Sequence, residues 1–427
     1  MLDIFYIREN KDLVKKAILD KNRQVDIDKL LDLDEKRRSL IVKTETLRRE
    51  RNQLSEFGGV KPHEKDNKFT DVIEKVKKIK EELRELEKEQ KAIEAEYHQL
   101  MLMVPNVPDE SVPVGKDSKR NKEMKKWGKI PQFDFRALDH IALAKKHDLV
   151  DFERGVKIGG FRSYFLKNEA AILEIAVLFF TFQKLIKKGY TPLIAPSLVK
   201  DFTLFGNGQF PWGKEEVYHL AKDDLYLAGT AEVPVTAYFA DEILEEKDLP
   251  KKFVAFSSCF RREAGSYGKD TKGLYRLHQF NKVEQVIINK ADDKSSLALH
   301  EELLRNSEEV LEDLGLPYRV MLMCTGDMGE PQVKKYDLET WMPGREAYGE
   351  TMSNSFMGDF QARRLKIRYK EKDGKTYFAH TLNNTAVASP RILIAILENY
   401  QQKDGSIVVP KVLREFVGKE RISLSLN

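Results

Sequence analysis

Residues 256–285 read FSSCFRREAGSYGKDTKGLYRLHQFNKVEQ. Two runs rich in apolar residues flank a loop of Gly, Lys and Asp; the first ends on Arg261, Arg262 and Glu263, and the second leads to Glu284. A plain hairpin needs neither feature. Guanidinium groups suit a phosphate because they offer a fixed fork of charged donors. An acid on the neighbouring strand suits the ammonium or hydroxyl of a small polar ligand. The segment therefore predicts two antiparallel strands carrying a site for a phosphorylated ligand and a polar one.

Working outward, further short β-rich runs occur at 225–229 (LYLAG), 252–260 (KFVAFSSCF), 283–289 (VEQVIIN), 318–324 (YRVMLMC) and 364–370 (RLKIRYK). Amphipathic helices are expected at 168–188 and 295–314. Strands arriving in succession with helices on their flanks argue for an α+β domain built on an antiparallel sheet. No G-x-G-x-x-G follows a strand and no G-x-x-x-x-G-K-[ST] occurs, so neither a dinucleotide fold nor a P-loop is supported. Any nucleotide must be held by another device.

The first hundred residues read differently. Leu33, Leu40, Leu47 and Leu54 recur every seven residues, as do Val72, Ile79, Leu86, Ile93 and Leu100, with Val76, Leu83 and Tyr97 interleaved. That is the seam of a coiled coil. Gly58, Gly59 and Pro62 between the arms cannot continue a helix, so an antiparallel hairpin over about residues 27–100 is expected. At about 1.5 Å per residue, arms of about 30 residues make a rod of roughly 45 Å. Pro105, Pro108, Pro113 and, further on, Pro131 then block regular structure. The expected organisation is an N-terminal domain over 1–104 containing the arm, a linker at 105–117 and a second domain from 118 to 427.

Composition narrows the class. A chain of 427 residues with 41% hydrophobic residues has enough apolar surface for a core in more than one domain. A net charge of +4 permits a polyanionic partner without demanding one. Cys259 and Cys324 are too few and too far apart for a disulfide framework or a CxxC zinc site, which fits a reducing, cytoplasmic setting. The start MLDIFYIREN is not a signal peptide by pattern, and the longest apolar run, 170–180, is interrupted by Glu174 and too short for a bilayer. No membrane span is expected.

Several long motifs then stand together in one order: LYLAGTAE (225–232), the opening segment, CTGDMG (324–329), YGETMSNSFMGDFQARRLKIRY (348–369) and TLNNTAVASPRILIAILENYQ (381–401). With the N-terminal hairpin, the chain over nearly its whole length resembles bacterial-type seryl-tRNA synthetases, class II aminoacyl-tRNA synthetases. The resemblance implies an ATP-dependent ligase that makes seryl-adenylate and transfers serine to the 3′ end of serine tRNA, and of selenocysteine tRNA where that tRNA exists. Arg261, Glu350 and Arg391 would carry the chemistry. The nucleotide would meet Arg261, Arg262, Glu263, Arg276, Leu277, Phe280, Glu350, Thr351, Met352, Ser353 and Arg391. Glu350 and Ser353 would hold Mg²⁺, which prefers hard oxygen donors.

For L-serine the resemblance implies Thr230, Ala231, Glu232, Arg261, Glu284, Asn383 and Thr385, with no zinc. The loop of 265–273 would cover the nucleotide and the tRNA end. The helix at 168–188 and Pro196 match the family's dimer element, implying a homodimer. The arm, with Arg37, Arg38, Lys43, Arg48, Arg49 and Arg51 on one helix and Lys75, Lys77, Lys78, Lys80, Arg84 and Lys88 on the other, would grip the long variable arm of serine tRNA through phosphates and shape.

Two other readings use part of the same sequence. A synthetase-like paralogue that loads a carrier protein would lack the hairpin, so the heptads count against it. A non-catalytic RNA-binding coiled-coil protein would not need the arginines and acids of all these motifs at once, and all are present.

Overall fold

The computed structural model describes residues 1–58, 67–266 and 272–423. The turn expected at Gly59 and Pro62, and most of the Gly/Lys/Asp loop, fall outside them. The chain divides into two compact units: residues 2–19 with 23–104, and residue 1 with 20–22 and 105–427. No helix among the described residues is long and apolar enough to cross a membrane.

The first unit is helical: α1 (Ile4–Glu9), α2 (Lys11–Asp20), α3 (Ile27–Gly58) and α4 (Asn67–Met103). Helix α3 persists through Gly58, one residue further than a glycine breaker implied. Arg48 pairs with Glu87 at 2.8 Å and Lys29 with Glu96 at 2.5 Å, so the long helices run antiparallel. Leu33, Leu40, Ile79 and Leu83 are buried in the seam, while Leu47, Leu54, Leu86 and Ile93 are half-buried. Two helices can shield only a narrow stripe between them. Arg37 and Arg51 belong to that stripe rather than to the outer faces: both are half-buried, and the Arg37 guanidinium lies 4.8 Å over the Tyr97 ring. Asp34, fully buried, gathers Arg8 at 2.5 Å, Arg38 at 3.1 Å and Arg37 at 3.5 Å.

The second unit is built on an eight-stranded sheet: β1 (Lys122–Trp127), β2 (Thr191–Ile194), β3 (Lys251–Phe260), β4 (Gln279–Asn289), β5 (Tyr318–Leu322), β6 (Lys334–Met342), β7 (Ala347–Phe356) and β8 (His380–Ala388). Their spatial order is β1-β5-β6-β7-β8-β4-β3-β2. Every pairing is antiparallel except β2 with β3, as the runs of strands predicted. One run departs from expectation. Residues 364–370 begin as the end of a helix, Phe360–Leu365, and only Arg368–Lys370 is strand, in a separate small sheet.

Helices α5 (Asn168–Lys187), α6 (Asp293–Asp313) and α7 (Ser389–Asn399) share the main apolar core with the sheet, through Leu173, Val177, Leu303, Val310, Ile392 and Ile396 packed with Val283, Ile287 and Leu382. Residues on this side include Gln285 and Asn384, which bond one another at 2.7 Å and meet Asn306 and Ser307 of α6. Strand alternation then sends Glu284 and Thr385 to the opposite, open side. The stretch 105–117 forms no helix or strand and is tied down: Asn106 is buried and its amide donates to the carbonyls of Pro331 and Met357.

Candidate active site

The opening segment forms strands β3 and β4, and Arg261 follows directly on β3. The Arg261 backbone N–H donates to the His278 carbonyl, and its Nε to the Gly229 carbonyl at 3.3 Å. Its guanidinium lies 5.3 Å from the Phe280 ring. The side chain is therefore held from two sides. Glu263, in a left-handed conformation with φ 55°, accepts from Arg276 at 3.0 Å. Arg262 is exposed and is absent from the lining of the cleft beside it.

That cleft brings together Arg261, Glu263, Arg276, Leu277, Phe280, Glu350, Thr351, Met352, Ser353, Thr385 and Arg391 of the sequence-derived set, with Tyr275 and Lys282 besides. Its lining thus combines the cations Arg261, Arg276, Lys282 and Arg391 and the rings of Tyr275 and Phe280 with the carboxylates of Glu263 and Glu350 and the hydroxyl of Ser353. Arg391, at the start of α7, donates to the Glu350 carbonyl at 2.9 Å and lies 3.2 Å from its carboxylate. Its guanidinium also stacks 4.4 Å from the Tyr275 ring, with Arg345 at 4.3 Å from that ring. Desolvation alone would raise the Glu350 carboxyl, but Arg391, Lys335 and Arg261 outweigh it and hold it down at about 2. It is a fixed anion in a cationic surround.

Glu350 and Ser353 are three residues apart, a spacing that sends side chains to opposite faces of a regular strand. Here the register shifts. Leu338 pairs with Met352 and Glu339 with Glu350, leaving Thr351 as an extra residue. Thr351 turns its hydroxyl to Thr340 at 2.7 Å, and both oxygen donors reach the cleft. A one-residue bulge re-aims a side chain in this way. Asp337, cross-strand from Ser353, is buried, which raises it to about 7 against the pull of Lys335.

A second shift, between β4 and β8, pairs Val283 with Val387 and Glu284 with Thr385 and leaves Ala386 extra. It sets Thr385 beside Glu284 in a buried polar cluster. Thr385 Oγ1 donates to Glu284 Oε2 at 2.9 Å. Lys282 Nζ reaches the same Oε2 at 2.6 Å, Thr230 Oγ1 at 2.8 Å and Thr385 Oγ1 at 3.1 Å. The Lys282 and Glu284 side chains are only 4% and 2% exposed. Removing one partner of such a buried pair costs about 3–5 kcal/mol, since the other is left uncompensated.

Glu232 is half-buried at the start of a short helix, Glu232–Thr236, and its Oε1 accepts from Asn207 at 2.8 Å and Gln361 at 2.9 Å. Burial first, and the charge of Glu284 second, push it up to about 7. Ala231 is fully buried, and Asn383 lies on the same face of β8 as Thr385, with its Nδ2 buried and unpaired among the described residues. The sequence reading missed Lys282, Asn207 and Gln361. Lys282 carried a signal, since it lies two residues before Glu284 on one strand and must share its face. Asn207 and Gln361 carried none, because only tertiary packing joins them to Glu232.

Known proteins match in both units. Residues 1–108 match a family described as the seryl-tRNA synthetase N-terminal domain, and residues 216–400 one described as the tRNA synthetase class II core domain (G, H, P, S and T). A serine–tRNA ligase of Deinococcus radiodurans is 46% identical over 422 residues, 99% of each chain, and one of Dictyoglomus turgidum is 43% identical over 426 residues, again 99% of each. Among solved structures, seryl-tRNA synthetase from Pyrococcus horikoshii complexed with ATP superposes with a TM-score of 0.91 at 38% identity, covering 99% of this chain and 100% of that one. The cytoplasmic serine–tRNA ligase of Naegleria fowleri in complex with AMP gives 0.87 at 30% identity, covering 100% and 99%.

Proposed function

Because the chain belongs to the seryl-tRNA synthetase family of class II enzymes and is an ATP-using serine–tRNA ligase, we propose that its cleft holds ATP against Arg261, Arg276, Phe280 and Arg391 and serine against Thr230, Glu232, Glu284 and Thr385. A serine carboxylate oxygen attacks the α-phosphorus, the bond to the β-phosphate oxygen breaks and pyrophosphate leaves. Charge gathers on the α-phosphate oxygens as this happens, and Arg261, already held by Gly229 and stacked near Phe280, stabilises it without reorganising. A ribose hydroxyl at the tRNA 3′ end then displaces AMP from the seryl carbonyl. Positioning and charge do the work, with no covalent enzyme intermediate.

The carrying observation is the junction of two unlike subsites on one sheet face: the arginine-lined cleft, and the buried cluster of Lys282, Glu284, Thr230 and Thr385 beside it. The cluster offers polar partners to a hydroxylated amino acid. A pocket that bonds a hydroxyl rejects the analogue without it, because buried partners are left unpaired. Glu284→Ala should raise the serine KM by about tenfold to a hundredfold and narrow the preference for serine over alanine, while calorimetric ATP binding stays near that of the parent. Unchanged serine affinity with weakened ATP binding would move Glu284 to the nucleotide subsite.

The donor set at Glu350 and Ser353 fits Mg²⁺, a hard cation that takes one or two protein oxygens and completes its shell with phosphates and water. Both side chains line the cleft because of the bulge at Thr351. When bound, the ion would offset phosphate charge. Glu350→Gln should weaken Mn²⁺ binding to the ATP complex, read by electron paramagnetic resonance, by at least about tenfold, a loss that even outer-shell partners produce. Equal Mn²⁺ affinity in the variant would remove Glu350 from the metal set.

The chain is also proposed to act as a cytoplasmic homodimer. Ile172, Ile175 and Phe179 of α5 and Ile194 on the edge strand β2 are 42%, 69%, 45% and 85% exposed, an apolar face that a second copy would cover. The arm is proposed to bind serine tRNA, supported by the exposed cations Arg38, Lys43, Arg48, Arg49, Lys75, Lys77, Lys78, Lys80, Arg84 and Lys88.

A further inference from the structure

We propose that Lys282 is a specificity-determining positioning residue: by filling one oxygen of Glu284 and one lone pair on each of two threonine hydroxyls, it leaves this cluster with acceptors at Glu284 Oε1 and Thr385 Oγ1 and a single donor, the Thr230 hydroxyl, a pattern a hydroxyl satisfies. The inference rests on the serine-pocket reading above and adds to it a residue and a polarity.

An ammonium has three donors and no acceptor. Those of Lys282 go to Glu284 Oε2, Thr230 Oγ1 and Thr385 Oγ1, so none remains for a ligand. Thr385 spends its own proton on Glu284 Oε2. That oxygen thus holds two donors, and among the described residues none reaches Oε1. Thr230 Oγ1 accepts from Lys282 and, at 3.2 Å, from the backbone N–H of Glu232. With both lone pairs engaged, its proton is what it has left to give. A hydroxyl both donates and accepts, so it can give its proton to a free acceptor of the cluster and take the Thr230 proton at once. A methyl answers neither. Without Lys282 the count fails: Thr230 and Thr385 could each turn either way, and Glu284 Oε2 would lose its charged donor.

Lys282→Met keeps most of the unbranched side chain and removes its donors. The expected result is a serine KM higher by at least about tenfold and a serine-over-alanine preference in pyrophosphate exchange lower by a similar factor, with the ATP KM within about twofold of the parent. A lysine that merely filled space would not split the two substrates. Thr230→Val keeps the buried ion pair and removes the Thr230 donor together with the acceptor of Lys282 and of the Glu232 N–H, so it tests the same polarity should the first variant fail to fold; the same selective loss is expected. The proposal is overturned if a folded Lys282→Met binds serine within about twofold of the parent, if it loses serine and ATP equally, or if Thr230→Val keeps the parent's preference. The outcome of Glu284→Ala separates the levels. If that variant binds serine normally, the pocket reading itself is wrong; if it loses serine while Lys282→Met and Thr230→Val do not, only the present inference falls.

Discussion

Arg261→Ala is expected to lower serine-dependent pyrophosphate exchange by about 10²-fold or more, the loss typical of removing one preorganised charge donor from a developing anion. The size follows from where the guanidinium is held. Its Nε is bound to the Gly229 carbonyl and its plane lies near Phe280, so it enters the reaction already oriented. Water admitted in its place would have to reorient as charge builds. The fold should survive, because among the described residues Arg261 makes no buried ion pair comparable to that of Lys282 and Glu284. The variant should therefore melt and sediment like the parent, at the mass of two chains. Exchange within a few-fold of the parent would take Arg261 out of the chemistry; a parent that sediments as one chain would remove the proposed homodimer.

Replacing residues 41–93, most of the arm, with a short Gly/Ser link should spare pyrophosphate exchange and sharply reduce charging of serine tRNA. The two halves of this expectation have separate causes. The arm closes its own seam through Leu40, Ile79 and Leu83 and pairs Arg48 with Glu87, and the cut leaves the cluster of Asp34 with Arg8, Arg37 and Arg38 in place. The residues lining the cleft lie beyond 260 and the proposed serine contacts begin at Thr230, all outside the replaced stretch. Charging, by contrast, would lose the exposed cations from Lys43 to Lys88 on both long helices. Binding of tRNA to the parent should weaken with salt, with a slope of roughly −0.7 to −0.9 per phosphate neutralised, and the shortened chain should show a shallower slope. If it charges serine tRNA with the parent's kcat/KM, the arm is structural only.

Much of this protein was legible in local pattern. Heptads marked the arm, alternating apolar residues marked the long strands, and the motifs around Arg261, Glu350 and Arg391 stood close enough in type and order to resemble a family. Such signals survive in one dimension because helix and strand periods are properties of neighbouring residues. Helix α3 ran one residue further, through Gly58, because a long helix can carry a poor helix former at its end at a cost of about 1 kcal/mol.

What local pattern could not supply was which side chains meet. Glu350 and Ser353 should point apart at their spacing, and they share the cleft only because β6 pairs across an extra Thr351. Thr385 comes beside Glu284 only because β4 pairs across an extra Ala386. The partners of Glu232 come from 25 and 129 residues away. Arg262, one residue from Arg261, faces solvent. Composition and period thus sufficed for the elements and the chemical vocabulary, while the register between strands distant in sequence decided the site, because one extra residue in a pairing reverses every side chain that follows it.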